Sequence, residues 1–163
     1  PHLYEERHSY RRDGFDLDMD GTRRLLWWES MAGGMGGFFG FYRRDSGAFA
    51  GYPYPNPEQL RTHHTFWHEK DRFRLDFERA NDRSETGAYV LVNSTSTHWV
   101  VYAEDTKEIA FDLSKAPGAL DAVAVDTRKA YAEIDLGKLK PAKESIELPE
   151  TSDWAIAVGG AGR

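Results

Sequence analysis

The sequence predicts an α+β protein in which helix-forming and strand-forming segments are separated along the chain. Residues 1–82 contain two segments with helical apolar spacing, whereas after Asp82 the apolar period changes from helical to two. Turn residues divide that second part into short strand candidates. We therefore expect strand–helix units in residues 1–82 and an antiparallel β-sandwich in residues 83–163.

The first part of the chain has the order of a strand, a helix and a second strand. Residues 1–6 form a short strand-like run that ends in two glutamates, and residues 21–32 carry the apolar spacing of a largely buried helix. The glycine-rich residues 33–37 then lead into an aromatic strand over residues 38–42. This order, with acids at a strand end, predicts the last strand–helix units of a (β/α)8 barrel, which cannot close without further strands.

A second helix is expected over residues 58–73, after a stiff segment rich in proline. Its Trp67 is expected in the core. Three histidines lie on this helix without the His-Glu-x-x-His order of a zinc site and without an evident third ligand, so we expect partly exposed helix residues and no metal site: His63, His64 and His68.

The remaining sequence contains seven short runs with strand periodicity, about the number of strands in a β-sandwich. Turn-forming dipeptides such as Asn-Ser, Glu-Asp and Pro-Gly separate them. The predicted strands cover residues 88–93, 97–103, 108–112, 120–127, 130–135, 144–148 and 153–158.

Composition excludes several classes of function. The chain has 163 residues, 40% of them apolar and 13% aromatic, which is ample for a core. Its net charge of −6 offers no basic field for nucleic acid, and no apolar run is long enough to span a membrane. The absence of cysteine excludes disulfides and thiolate metal sites.

Two adjacent acids, Glu5 and Glu6, are the first candidates for chemistry. Neighbouring residues of a strand point to opposite faces, so only one of the two can face a barrel interior or its mouth. The alternative is a pair of surface glutamates balanced by nearby arginines, namely Arg7, Arg11 and Arg12.

Two further motifs are candidates for binding sites. Residues 16–21 copy the first half of a calcium-binding loop, but position twelve of that loop would be Trp27, which cannot supply a carboxylate. Tyr52 and Tyr54 lie in a loop and can form a platform on which a sugar stacks, or they can pack at the seam between the two halves.

Several segments together resemble a known family. They are residues 1–6 (PHLYEE), residues 22–34 with their Arg-Arg, Trp-Trp and Gly-Gly pairs, and residues 37–40 (GFFG). These segments look like the last quarter of apiosidase-like glycoside hydrolases. Runs such as residues 99–102 and 153–158 are similar to the β-sandwich appended to those enzymes, which is labelled a collagen-binding domain.

The resemblance implies a retaining or inverting glycosidase whose substrate is a plant or algal polysaccharide or oligosaccharide and which needs no cofactor. It makes Glu6 the expected nucleophile and Glu5 the second candidate, and the tyrosine expected after the nucleophile is only approximated by Tyr10. The family also favours a secreted or periplasmic location. Binding of substrate is expected to involve Tyr10 together with Tyr52 and Tyr54.

The resemblance also implies a missing barrel segment, from the same polypeptide or a partner chain, so this chain alone is not expected to be active. Its aromatic residues, among them Trp27, would then form an apolar patch that faces the absent strands. The alternative hypothesis is a non-catalytic module in which the β-sandwich binds a carbohydrate or a protein.

Overall fold

A computed structural model describes residues 3–5, 11–12, 15–16, 19–34, 38–40 and 57–160. The helices are α1 (Met19–Met31) and α2 (Pro57–His64). The strands are β1 (Leu3–Glu5), β2 (Arg11–Arg12), β3 (Phe15–Asp16), β4 (Phe38–Gly40), β5 (Phe77–Arg79), β6 (Tyr89–Asn93), β7 (Trp99–Asp112), β8 (Leu120–Asp126), β9 (Ile134–Leu139) and β10 (Lys143–Val158). No helix within these ranges is both long and apolar enough to cross a membrane.

The first described part is a strand–helix–strand unit, and the predicted order is confirmed. β1 pairs with β4 in parallel, with Leu3 opposite Phe38 and Glu5 opposite Gly40, and α1 lies between them in the chain. Parallel strands need such a crossover, because a short turn can join only antiparallel strands. The short strands β2 and β3 pair separately as an antiparallel ribbon.

The second helix is shorter than predicted and changes its type. α2 ends at His64 and continues as a π-helical turn, Thr65–Glu69, in which the N–H of Lys70 donates to the carbonyl of Thr65. A 3₁₀ turn, Arg72–Arg74, follows. Trp67 of the π-helical turn is buried, as expected.

The rest of the chain forms one six-stranded sheet in the order β5-β6-β7-β10-β8-β9, with every pair antiparallel. β7 and β10 each join two of the predicted strands, so seven predicted strands correspond to five. β7 continues past Asp105, whose positive φ of 49° replaces the expected break by a bend. β5 is an edge strand that lies before Asp82, outside the predicted strands.

Both halves of the long strands contribute to one apolar core. Val101 and Ile156 come from the paired segments 99–103 of β7 and 154–158 of β10. Phe111 and Ile146 come from the other paired segments of the same two strands, 108–112 and 143–147. The bent sheet therefore packs on itself, in the manner of a β-sandwich. With the strand–helix unit before it, this arrangement confirms the α+β fold class.

The other face of the sheet is covered by α1 and the π-helical turn. Trp27 is fully buried and stacks on Tyr102 of β7, with ring centroids 5.2 Å apart and ring planes 11° apart. Phe66 packs edge-on against Trp27 at 5.1 Å. The expectation that Trp27 contributes to a patch facing absent strands is therefore wrong, because the sheet itself covers this indole.

Removal of the Trp27 side chain is expected to destabilise the chain strongly. Trp27→Ala should lower the free energy of unfolding by about 3–5 kcal/mol, since it leaves a cavity between α1 and the sheet. Trp27→Phe should cost less, because the indole N–H of Trp27 has no hydrogen-bond partner among the described residues. Urea unfolding of both variants measures this, and equal stability of Trp27→Ala and the unsubstituted chain would contradict the packing described.

Candidate functional site

The parallel pairing of β1 with β4 brings the carboxyl ends of two strands to one edge. Glu5 is the last residue of β1 and lies opposite Gly40, the last residue of β4. Both strands therefore end at the same edge of the pair. In sheets with parallel strands, ligands bind outside the carboxyl ends of the strands. We call this candidate site the carboxyl edge.

The predicted site residues differ in how far the structure describes them. The backbone of Glu5 is placed at the carboxyl edge, and Glu6 follows directly in the sequence. Glu6, Tyr10, Tyr52 and Tyr54 lie outside the described residues. Their assignment to catalysis and substrate binding stays a prediction.

The helix that joins these strands is tied to the sheet by one buried carboxylate, that of Asp153. Arg24 donates to it twice, from Nε to Oδ2 at 2.8 Å and from Nη2 to Oδ1 at 2.9 Å. Arg23, which is 2% exposed, donates from Nη2 to Oδ2. The backbone N–H of Asp105 adds a third donor group at 3.0 Å. This paired geometry is the strong, directional form of a carboxylate–arginine contact.

A local irregularity in the pairing of β7 with β10 lies at Asp153. The register shifts between Ser152 and Trp154, where Asp153 alone lies opposite two residues of β7, Glu104 and Asp105, so the bulge is in β7. The carbonyl of Asp153 accepts from Thr127, which donates from both N and Oγ1 at 2.9 Å. The backbone N–H of Asp105 in this bulge donates to the Asp153 carboxylate, which also meets the arginines of α1.

The positive charges of Arg23 and Arg24 compensate the buried negative charge of Asp153. Burial alone would raise the pKa of Asp153, but hydrogen bonds from Arg24, the Asp105 N–H and Arg23 lower this pKa to about 2. The same contact with Asp153 raises the pKa of Arg24. Burial raises the pKa of Glu104, whose Oε1 accepts a hydrogen bond from Tyr102 at 3.0 Å. These contacts therefore stabilise the ionised form of the Asp153 side chain.

Further hydrogen bonds tie both helices to the turn after β8. Arg128 donates from Nη2 to Asp20 of α1 at 3.4 Å, and Gln59 of α2 donates to the carbonyl of Arg128 at 2.8 Å. Thr62 donates to the carbonyl of Lys129 at 2.6 Å. The helices and the sheet are therefore joined by polar contacts around the buried aromatic cluster.

A buried serine–histidine pair links the two helices to each other. Ser30 Oγ lies 2.9 Å from His63 Nε2, and both residues are less than a tenth exposed. Burial lowers the pKa of His63 to about 4, helped by His68 and His64 and opposed by a hydrogen bond to the Leu26 backbone. The burial of His63 contradicts the expectation of a partly exposed side chain.

The other two histidines of the second helix are exposed, as expected. Their rings, those of His64 and His68, stack with centroids 5.0 Å apart. Within the ranges that the structure describes, no three histidine or carboxylate side chains are grouped so as to hold a metal ion.

The contact of Asp153 with Arg23 and Arg24 was not predicted from the sequence. A weak signal was present, since residues 152–158 are apolar except for Ser152 and Asp153. A charge at the start of an otherwise apolar strand needs a partner, and two adjacent arginines on a buried helix are the obvious source. The sequence does not show that these two segments meet.

Loss of the Asp153 charge is expected to destabilise the packing of α1 on the sheet. Asp153→Asn should lower the free energy of unfolding by about 3–5 kcal/mol, because it removes the buried carboxylate that Arg23 and Arg24 share and leaves the buried Arg23 with the half-exposed Asp20. Asp121 is the matched control: it pairs with Lys138 at 2.9 Å with both side chains more than 60% exposed. Asp121→Asn should cost about 1 kcal/mol or less. Urea unfolding measures both, and equal costs would contradict the role of Asp153.

Because His63 is buried, we expect the free energy of unfolding to depend on pH between the pKa of this histidine in the folded chain and its pKa in the unfolded chain. In the unfolded chain a histidine gains its proton below about pH 6.5, whereas the folded His63 does so only near pH 4. The unfolded state therefore binds more protons across this window, and stability should fall by about 3 kcal/mol as pH drops through it. Urea titrations at stepped pH measure the slope.

His63→Gln should flatten that slope, and the exposed His64→Gln is the control that should keep it. An unchanged slope in His63→Gln would contradict the assignment. The depressed pKa of Asp153 acts in a separate window, because stability from that carboxylate is lost only as pH falls from 3.8 towards 2.

Comparison with known proteins shows similarity at the level of structure alone. No protein-family model and no curated protein matches the sequence. One similar solved structure is a glycoside hydrolase, with a TM-score of 0.65 and 15% identity over 88% of this chain. Another is a glycoside hydrolase family 5 protein from Bacteroides vulgatus ATCC 8482, with a TM-score of 0.71 and 16% identity over 95% of this chain. The chain spans 37% and 39% of these two structures, and it shares the fold of those parts.

Proposed function

We propose that this chain is the C-terminal part of a glycoside hydrolase. The observation that carries the proposal is the parallel pairing of β1 with β4 across α1, followed later in the chain by an antiparallel sheet that packs on α1. This order has structural counterparts in two glycoside hydrolases, and these counterparts cover most of the chain. Parallel strands joined by a helix are the repeating unit of a (β/α)8 barrel.

The proposed division keeps the boundary predicted from the sequence. Residues 1–82 would be the last strand–helix units of the barrel, and residues 83–163 the accessory β-sandwich. β5 precedes this boundary and pairs with β6, so the first part would also supply an edge strand to the sheet of the second. The name of the resembling domain suggests collagen as a further ligand. The described contacts indicate only that the sheet supports α1.

The proposed chemistry places a carboxylate nucleophile at the carboxyl edge. Glu6 would attack the anomeric carbon of a glycoside, and Glu5 is the second candidate. In a retaining enzyme a second carboxylate, roughly 5 Å away, protonates the leaving oxygen and then activates water. Adjacent glutamates of one strand point to opposite faces and cannot form that pair. The acid/base would therefore come from another strand of the barrel.

The proposed substrate is a plant or algal polysaccharide or oligosaccharide. Tyr10 would orient the nucleophile or contact the sugar, and Tyr52 and Tyr54 would offer aromatic faces for stacking. The chemistry of two carboxylates on a glycoside needs no cofactor. The Asp153 contacts would act indirectly. They would hold α1 in place, and with it the two strands of the carboxyl edge that α1 joins.

The nucleophile can be tested in the whole enzyme, with the remaining barrel strands present in the same polypeptide or supplied by a partner. Glu6→Gln should lower kcat/KM for an aryl glycoside roughly a thousandfold or more, because the amide cannot attack the anomeric carbon. Glu5→Gln should retain most of the activity if Glu5 faces away from the cavity. Hydrolysis rates of the two variants measure the difference.

Glu78→Gln is the matched control, because Glu78 is an exposed glutamate of β5. It should leave the rate unchanged. Full activity of Glu6→Gln together with loss of activity in Glu5→Gln would exchange their roles. Full activity of both variants would remove both residues from the mechanism, and with them the proposed placement of the carboxyl edge.

A further inference from the structure

The connection between β1 and α1 carries a short ribbon that the proposed chemistry does not use. β2 and β3 pair in an antiparallel manner within this connection, with Arg11 opposite Asp16 and Arg12 opposite Phe15. An Asp-Gly dipeptide at residues 13–14 separates the two strands in the sequence, and this dipeptide favours the tight turn of a two-residue hairpin. The turn sequence and the observed register therefore agree.

The chain topology places this ribbon at the carboxyl edge. Because β1 and β4 run parallel, α1 must return along them and begin at the end of the strands where Glu5 lies. Five residues separate Glu5 from Arg11, so the ribbon begins at most about 22 Å from the end of β1. It ends at Asp16, at most about 11 Å from Met19 of α1. Strand-to-helix connections at this end of parallel strands are the segments that contact ligands.

The two faces of the ribbon differ in charge. Directly opposed residues of an antiparallel pair share a face, and neighbouring residues of a strand lie on opposite faces. Arg11 and Asp16 therefore share one face, where an acid can balance the cation. Arg12 and Phe15 share the other face, where the residue opposite the cation is aromatic. We call this second surface the Arg12 face.

An arginine opposite an aromatic residue suits a sugar that carries an anionic group. A guanidinium binds the oxygens of an anionic group such as a carboxylate through paired, charge-assisted hydrogen bonds. An aromatic ring offers apolar area to the face of a sugar ring. A neutral sugar could use the ring but would leave the arginine without a charged partner.

We propose that the Arg12 face binds the anionic group of an acidic glycan whose scissile bond lies at the carboxyl edge. The location of that bond rests on the proposed function, whereas the preference for an anionic group rests on the register of the ribbon. The carboxylate of a uronic acid and the sulfate ester of a sugar present the same chemistry to an arginine. In this arrangement Arg12 determines substrate preference and takes no part in bond cleavage.

Affinity electrophoresis of the whole enzyme can test this preference, in a Glu6→Gln background that keeps the glycan intact. The probes are polygalacturonate and alginate as carboxylated glycans, carrageenan as a sulfated glycan, and laminarin and galactan as neutral glycans. We expect at least one anionic glycan to bind more tightly than both neutral ones, and its class distinguishes carboxylate from sulfate. Arg12→Gln should weaken that binding about tenfold or more, because the charge-assisted hydrogen bonds are lost. Arg12→Lys should keep part of the affinity, since it retains the charge without the paired geometry.

Arg11→Gln is the matched control, because it removes the same charge from the neighbouring position on the other face of the ribbon. It should leave the affinity nearly unchanged. The proposal is overturned if no anionic glycan binds more tightly than the neutral ones, or if Arg11→Gln and Arg12→Gln have equal effects. It is also overturned if Arg12→Gln weakens the binding of neutral and anionic glycans alike.

Rates of hydrolysis separate this proposal from the proposed function. Full activity of Glu6→Gln, together with a loss of anionic binding in Arg12→Gln, would remove the nucleophile and leave the Arg12 face in place. Loss of activity in Glu6→Gln, together with unchanged binding in Arg12→Gln, would do the reverse.

Discussion

The carboxylate of Asp153 is the contact on which the arrangement of this chain depends. It is fully buried, and it is paired with Arg23 and Arg24 on α1. Burial of charges costs several kcal/mol per ion, and the attraction between them offsets this cost only when the geometry is good. The contact therefore adds little net stability over an apolar one, but its paired hydrogen bonds favour this placement of α1 on the sheet.

That placement connects the two parts of the fold. α1 contacts β1 on one side and β6 on the other, so the strands of the carboxyl edge and the sheet share one helix. Trp27 fills the space next to the ion pair by stacking on Tyr102. The placement of α1 between these parts therefore depends on Asp153 of β10, which is far along the chain from β1 and β4.

Much of the fold could be predicted because its signals are local. The strand–helix–strand order, the change to a period of two and the burial of Trp67 all follow from short stretches of sequence. The covering of Trp27 and the burial of His63 could not be predicted, since both depend on which partner a helix face meets. The Asp153 contact is equally non-local, because the arginine partners of this carboxylate are about 130 positions away in sequence. For the carboxyl edge, the sequence identifies two candidate acids, and their catalytic role stays a prediction.

The sheet has two apolar faces, and the second bears Leu91, Val100 and Ala155 beneath α1. A polypeptide that began at residue 83 would lose this cover together with the edge strand β5, and it would expose a broad apolar surface to water. A β-sandwich transferred to another protein would therefore need α1, or an equivalent apolar cover, to keep this face out of water.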